Sequence, residues 1–243
     1  NGTVALNGAG DVVFTPDADF AGQAQFDYTL TDGQGGETTQ TVTVSVGAVN
    51  DAPTTGADSV STVEDVAITL LAADLLSNDG DVDGDSLSIL SVGPASSGTV
   101  ALNGAGDVVF TPDADASGTV TFDYTVTDGQ GGTATETVTV SVAAVNDAPD
   151  TGADTVAATE DEALTVTAAS LLANDSDVEG DALSLISVGN GVNGTVALNG
   201  AGDVVFTPDA DFAGTAYFDY TVSDGQEGES TQTVTVAVGA VND

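Results

Sequence analysis

Lysine, arginine and histidine are absent from these 243 residues, whereas aspartate and glutamate number 39, so the formal net charge is -39. Ordinary soluble chains carry roughly 25% charged residues of both signs. Every carboxylate here must therefore find its countercharge outside the protein, and a metal cation is the partner this calls for. Cysteine is absent too, which together with the missing histidine removes the ligands that favour zinc, copper or iron. Oxygen donors alone select hard ions, Ca²⁺ ahead of Mg²⁺ where many carboxylates crowd one loop. Without a base, nothing can neutralise a phosphate except through a bridging cation, which excludes nucleic acid and acidic membrane surfaces as direct partners. The missing lysine rules out Lys–Asn isopeptide stapling. Tryptophan is absent and aromatics make up 5%, leaving few platforms on which a sugar ring could stack. No apolar run approaches the roughly 18 residues of a membrane span, and no basic-then-apolar leader opens the chain. What is present suffices to fold: apolar residues make up 41% and mean hydropathy is +0.14, well above the signature of a disordered acidic tail.

Internal repetition sets the organisation. The string GTVALNGAGDVVFTPDAD starts at Gly2, Gly98 and Gly194, and Val-Asn-Asp recurs at 49–51, 145–147 and 241–243. Both motifs recur every 96 residues (98 − 2 and 194 − 98; 147 − 51 and 243 − 147). Residues 1–51 thus read as the second half of one repeat, and 52–147 and 148–243 as two complete repeats, a window onto a longer array. The half repeat matches its successor at about four positions in five, a uniformity that suits a spacer better than an active site.

Each repeat alternates short period-2 segments with Gly, Pro, Asn and Asp turns, the pattern of an all-β sandwich. In 52–147 the spacing predicts strands over 59–62, 66–70, 86–92, 99–103, 107–111, 120–127 and 135–142, with a helical turn at 71–76. Gly104-Ala-Gly106 reads as a hairpin turn that needs glycine. Phe122 and Tyr124 share one strand face, and Val138, Val140 and Val142 another, so both faces are expected in the core. About seven strands in a repeat of this size fits tandem immunoglobulin-like β-sandwiches.

The chemistry concentrates in one loop, Asn78-Asp-Gly-Asp-Val-Asp-Gly-Asp85, and its counterpart Asn174-Asp-Ser-Asp-Val-Glu-Gly-Asp181. Asp79, Asp81, Asp83 and Asp85, and Asp175, Asp177, Glu179 and Asp181, stand at alternate positions, and glycine lets the chain turn so that carboxylates converge. Such a cluster repels itself until a divalent ion enters. A lone Asp-Gly would read as a solvated turn; this density, repeated every 96 residues, points to calcium. The spacing is not that of the helical calcium loop closed by a distant bidentate Glu. Further acids at predicted strand ends or links complete the candidate set: Glu64 and Asp65, Glu160 and Asp161, Asp32, Asp128 and Asp224, and the link pairs Asn50–Asp51 and Asn146–Asp147. Asn-Gly-Thr at 1–3 and 193–195 and Asn-Asp-Ser at 174–176 fit the glycosylation pattern but read more simply as turns.

On these residues the chain resembles a known family. Ala48-Val-Asn-Asp-Ala-Pro53 looks like the linker of cadherin domains, Asp81 and Asp83 like their Asp-x-Asp, Thr127-Asp-Gly129 like their strand-end Asp, and Glu64 and Glu160 like their first-strand Glu. The whole repeat is similar to the cadherin-like tandem repeats of large bacterial surface adhesins, many of them secreted RTX-type proteins. There are departures: Ala48 and Ala144 replace the first linker acid, Ala52 and Ala148 the last Asn, and no Leu-Asp-Arg-Glu segment exists. Asp113 and Asp115, with Asp17, Asp19, Asp209 and Asp211, are the acids available to compensate.

The resemblance implies Ca²⁺ between successive repeats, stiffening an extracellular, cell-surface or secreted array whose partners are its own neighbouring repeats. Two other roles stay open, a self-assembling filament subunit associating with like chains, and a calcium-dependent carbohydrate-binding module. An enzyme is not expected, because only paired carboxylates remain for acid–base work and these sit in polar turns rather than an apolar pocket.

Overall fold

The computed structural model describes residues 1–242, and the chain divides into two units, Asn1–Ala144 and one beginning at Val145. The first unit holds β1 (Gly2–Leu6), β2 (Val12–Pro16), β3 (Gly22–Thr31), β4 (Glu37–Val46), β5 (Asp58–Val63), β6 (Ile68–Leu70), the one-turn helix α1 (Ala72–Leu75) with a 3-10 turn at Leu76–Asn78, β7 (Ser88–Val92), β8 (Thr99–Leu102), β9 (Val108–Thr111), β10 (Gly118–Thr127) and β11 (Thr133–Ala143). The seven strands after Asp51 and the helical turn fall where the alternation predicts them, with no end moved by more than two residues.

Those seven strands form two sheets, β5-β11-β10-β7 and β6-β9-β8. Alternation explains β10 and β11: Val120, Phe122, Tyr124 and Val126 point inward with Val138, Val140 and Val142, and all seven are buried. Phe110 from the second sheet stacks on Phe122 from the first, ring centroids 6.0 Å apart, so this pair joins the two layers. Leu75 of α1 is buried in the same core. Strands β5 and β11 run parallel, with Asp58 opposite Val138 and Val63 opposite Ala143; the intervening chain is the long crossover that parallel neighbours require. The β8–β9 hairpin is closed by Asn103, whose Oδ1 accepts from the Ala105 and Asp107 backbone N–H groups at 2.8 and 3.0 Å. Gly106 takes φ +88° there, a conformation that glycine adopts without strain.

Residues 1–51 form two hairpins, β1-β2 and β3-β4. They repeat the β8-β9 and β10-β11 pairings, including a stacked Phe14–Phe26 pair at 6.1 Å.

The second unit repeats the sandwich with β12 (Asp154–Thr159), β13 (Leu164–Val166), α2 (Ala168–Leu171) with a 3-10 turn at Leu172–Asn174, β14 (Ser184–Val192), β15 (Gly194–Leu198), β16 (Val204–Pro208), β17 (Gly214–Ser223) and β18 (Glu229–Gly239). Its sheets are β12-β18-β17-β14 and β13-β16-β15, and Phe206 and Phe218 join them at 5.7 Å.

Candidate metal centre

The acidic loop of the first unit is fastened at its base by paired backbone bonds, Thr54 N–H to Gly80 C=O at 2.7 Å and Gly80 N–H to Thr54 C=O at 2.9 Å. Beyond that clamp the chain curls around Asp81. One oxygen of Asp81, Oδ1, accepts from the Asp83 and Asp85 backbone N–H groups at 2.9 and 3.3 Å, and Gly84 completes the curl at φ +81°. The other, Oδ2, is shut off from solvent and has no hydrogen-bond partner. Carboxylate oxygens of Asp81, Asp83 and Asp85 lie within 4.8 Å of one another. Three negative groups at that separation, one with a buried orphan oxygen, are an unfavourable arrangement for a bare protein.

The link before the loop is gripped from two sides. Asp51 donates its backbone N–H to Asp83 Oδ2 at 2.8 Å, and Asn50 donates Nδ2 to Asp128 Oδ2 at 2.7 Å. Asp128, at the end of β10, also accepts through Oδ1 from the backbone N–H groups of Gln130, Gly131 and Gly132 at 2.7 to 3.0 Å. The Asn50 amide first, then these N–H groups, hold its carboxyl below the usual carboxylate range, against the opposing effect of burial. Asp32 sits in the corresponding turn after β3 and is lowered chiefly by the Gln34 and Gly36 N–H groups.

The second unit repeats the clamp and the curl from its own residues. Asp150 and Ser176 exchange backbone bonds at 2.8 and 2.9 Å. Asp177 Oδ1 accepts from the Glu179 and Asp181 N–H groups at 3.1 and 3.0 Å, while Asp177 Oδ2 is buried without a partner. Asp147 N–H reaches Glu179 Oε2 at 3.2 Å, and Asn146 Nδ2 reaches Asp224 Oδ2 at 2.7 Å.

Not every acid expected in the centre is gathered there. Asp79 faces the fold instead: its Oδ1 accepts from Gly56 N–H at 2.9 Å and its Oδ2 from the Tyr124 hydroxyl at 3.2 Å. Asp175 does the same with Gly152 and Tyr220. The alternation of acids along the loop places these two one step too early, on the near side of the backbone clamp. Asp128 and Asp224 hold the link through Asn50 and Asn146. Glu64 and Glu160 are buried at the turn after the first strand of each repeat, where their backbone N–H groups bond Ala143 and Gly239 C=O, each at 3.0 Å. Glu160 Oε1 accepts from the Val241 N–H. Asp65 and Asp161 follow at φ +59° and +61°, and Asp161 Oδ1 accepts from Asp211 N–H at 3.3 Å.

Sequence reasoning missed Asp58 and Asp154. The Tyr124 hydroxyl, buried in the core, donates to Asp58 Oδ2 at 2.8 Å, and Tyr220 to Asp154 Oδ2 at 2.9 Å. Burial pushes both carboxyls up, Tyr124 and Tyr220 pull them down, and neighbouring Asp79 and Asp175 raise them again. The available signal was the tyrosine itself, because a phenol on a core face needs an acceptor.

Two acidic loops, each clamped by backbone bonds and tied to a β-sandwich's Val-Asn-Asp link, define a class of tandem-repeat protein. The chain belongs to the cadherin-like domain family, which matches residues 1–47, 49–143 and 145–239. No curated protein matches it. Among solved structures it is similar to the EC22-24 segment of mouse cadherin-23, at 17% identity and TM-score 0.58, covering 99% of this chain and 83% of that one. It is also similar to protocadherin gamma C5 EC1-3, at 15% identity and TM-score 0.47, covering 97% and 86%. An endo-fucoidan hydrolase of glycoside hydrolase family 107 matches at 20% identity and TM-score 0.34; the match covers 99% of this chain but spans 37% of that structure. The likeness to cadherin-23 bears on the fold alone. Among the described residues no helix is long and apolar enough to cross a membrane.

Proposed function

We propose that this chain is a calcium-stiffened spacer of a bacterial extracellular adhesin or surface filament. The observation that carries the calcium reading is the buried, unpartnered Oδ2 of Asp81 within the cluster of Asp81, Asp83 and Asp85; Asp177 Oδ2 is likewise buried without a partner. The donor set fits: carboxylate oxygens in a glycine-turned loop, no nitrogen or sulfur ligand and no basic side chain in the sequence, the chemistry a hard divalent ion prefers. Asp81, Asp83 and Asp85 would hold the ion in the first unit, and Asp177, Glu179 and Asp181 in the second. Calcium supplies the missing countercharge and fixes the loop. The chain's own contribution is to bring the link to the loop, through Asp51 N–H on Asp83, and to lock it to the sandwich through Asn50 on Asp128. A link held at both points no longer behaves as a tether. The sequence uniformity of the repeats and the polar setting of the acids support a structural role rather than catalysis.

Calcium titration of the full chain tests this. Asp81→Ala with Asp83→Ala removes the first unit's set, so one class of sites should be lost while those of the second unit remain, and the sandwich should still melt cooperatively because its apolar contacts are untouched. Equal calcium stoichiometry and affinity in the double variant and the parent would sink the assignment to this loop.

A further inference from the structure

Cysteine, methionine, tryptophan and histidine are all absent from the chain, which leaves four tyrosines as its redox-active side chains. The usual targets of oxidants, thiol and thioether above all, are therefore missing. Tyr124 and Tyr220 are withdrawn from solvent: both are buried in the cores, and their hydroxyls donate to Asp58 and Asp154 at 2.8 and 2.9 Å. Tyr28 stands at the same position in residues 1–51, which hold only half a repeat, so its exposure is not a property of the complete sandwich. Tyr217 differs from all three. It points outward from β17, between Ala216 and Phe218 on the buried inner face, and is 40% exposed. The corresponding residues of the other repeats are Gln25 and Thr121. Across the strands Tyr217 faces Val192 of β14, itself 48% exposed, and Thr235 of β18, which in turn faces Thr155 of β12. Strand β17 has one carboxylate, Asp219, and that group is engaged by Thr233 Oγ1 at 2.6 Å and Asn190 Nδ2 at 2.7 Å. Two chains of charge -39 repel one another wherever their acidic loops and turns approach. A face with so few charges is where two copies can meet, and in a two-fold pair the same patch serves both partners, which brings one Tyr217 towards the other.

We propose that Tyr217 is an oxidative cross-linking site that joins two copies of this chain through the outer face of the β12-β18-β17-β14 sheet. The co-reactant is hydrogen peroxide acting through a haem peroxidase. Each phenol gives up one electron and its hydroxyl proton. The two phenoxyl radicals couple through the ring carbons ortho to oxygen, and the hydrogen on each coupled carbon moves to the oxygen, restoring both phenols. In total two tyrosines lose two hydrogen atoms, and one peroxide becomes two waters. The preceding repeat, with Thr121 at this position, has no residue that can couple. Four strands about 4.8 Å apart, with ten residues of about 3.4 Å each, offer at most roughly 650 Å² per copy, less than the ~800 Å² per partner of a standard stable interface. The non-covalent pair is therefore short-lived, and the carbon–carbon bond is what retains it.

The test uses the full chain carrying Tyr28→Phe, treated with a haem peroxidase and hydrogen peroxide in saturating calcium. Denaturing electrophoresis is expected to show a covalent dimer with dityrosine fluorescence, and peptide mass spectrometry to place the link between two Tyr217 rings. Tyr217→Phe should abolish the dimer. Val192→Asp keeps the phenol but sets a carboxylate beside it, so labelling of Tyr217 by a small phenol, tyramide, should persist while the dimer yield falls. Sodium chloride at about 1 M, which shortens the Debye length to about 3 Å, should restore that yield. Both substitutions lie on the exposed face, and an unchanged melting temperature checks that the sandwich is intact. A dimer that survives Tyr217→Phe, tyramide labelling of Tyr124 or Tyr220 equal to that of Tyr217 in the folded chain, or no dimer even at high salt would overturn the proposal. So would a dimer yield indifferent to Val192→Asp, because the two copies would then meet elsewhere.

Discussion

Asp128 holds a negative charge with no base in the sequence because four N–H groups converge on it: the Asn50 side chain and the backbones of Gln130, Gly131 and Gly132. Hydrogen bonds to the ionised form lower a carboxyl's pKa, so this group favours the folded state at pH values above its unfolded pKa and loses that contribution as pH falls through the folded one. Asp224 behaves alike, with the Asn146 amide as its first cause. Asp58 and Asp154 work in the opposite direction. Their folded pKa is raised by burial, so their contribution is complete below the unfolded pKa and fades as pH rises through the folded value. Asp58→Asn keeps an acceptor for Tyr124 and removes the charge beside Asp79. At fixed calcium it should raise the melting temperature by a few degrees at neutral pH, and the gap should close towards acid as parental Asp58 takes up a proton. A gap that is constant with pH would mean that Asp58 does not titrate in this way. Asp128→Ala should lower the melting temperature at neutral pH and flatten its fall on the acid side, which the same pH series reads.

At the scale of elements, the turn after β10 and the sandwich core respond differently to substitution. A Cβ at Gly132 would fall on Asp128 Oδ2 and 2.9 Å from Ala52 Cα. Gly132→Ala should therefore loosen the link, seen as faster amide exchange at Asn50 and Asp51, while exchange in β10 and β11 stays slow. Phe110→Ala removes the ring that joins the two sheets and should destabilise the sandwich of 52–143 by about 3–5 kcal/mol, measured by urea unfolding, with residues 145–242 melting as before. The strands were legible because Val-Thr-Phe-Asp-Tyr alternation has a period of two and because glycine and asparagine mark the turns. The face of each residue follows from that period. Its partner does not: the parallel pairing of β5 with β11 joins residues 80 positions apart, and no local pattern encodes it. The site divides in the same way. The crowding of Asp81, Asp83 and Asp85 is written in eight residues of sequence, whereas the capture of Asp79 by Tyr124 and of Asn50 by Asp128 depends on the folded sandwich bringing together side chains 45 and 78 positions apart.

Over the whole molecule, a charge of -39 stands with no basic side chain to compensate it. Self-repulsion of this kind opposes the compact state. Two remedies act on it by different routes. Monovalent salt screens all carboxylates alike, the Debye length falling to about 3 Å at 1 M, but it cannot satisfy a buried, orphaned oxygen such as Asp81 Oδ2. Calcium bound only by the folded chain adds stability by mass action, about 2.7 kcal/mol per site at a hundredfold excess over its Kd. Chelation with EGTA at low ionic strength should therefore lower the melting temperature and enlarge the hydrodynamic radius. Adding NaCl to about 1 M, where screening is nearly complete, should recover part of the loss, and millimolar calcium all of it. Magnesium should recover less than calcium, because it sheds its waters reluctantly and demands near-octahedral geometry at about 2.0–2.1 Å. The distinction between screening and site binding lies in the variants: Asp81→Ala with Asp83→Ala should keep the response to salt and lose part of the response to calcium. A melting temperature that is the same in EGTA and in calcium, or full recovery by sodium chloride alone, would reduce the acidic loops to solvated turns and leave the repulsion unrelieved by any specific ion.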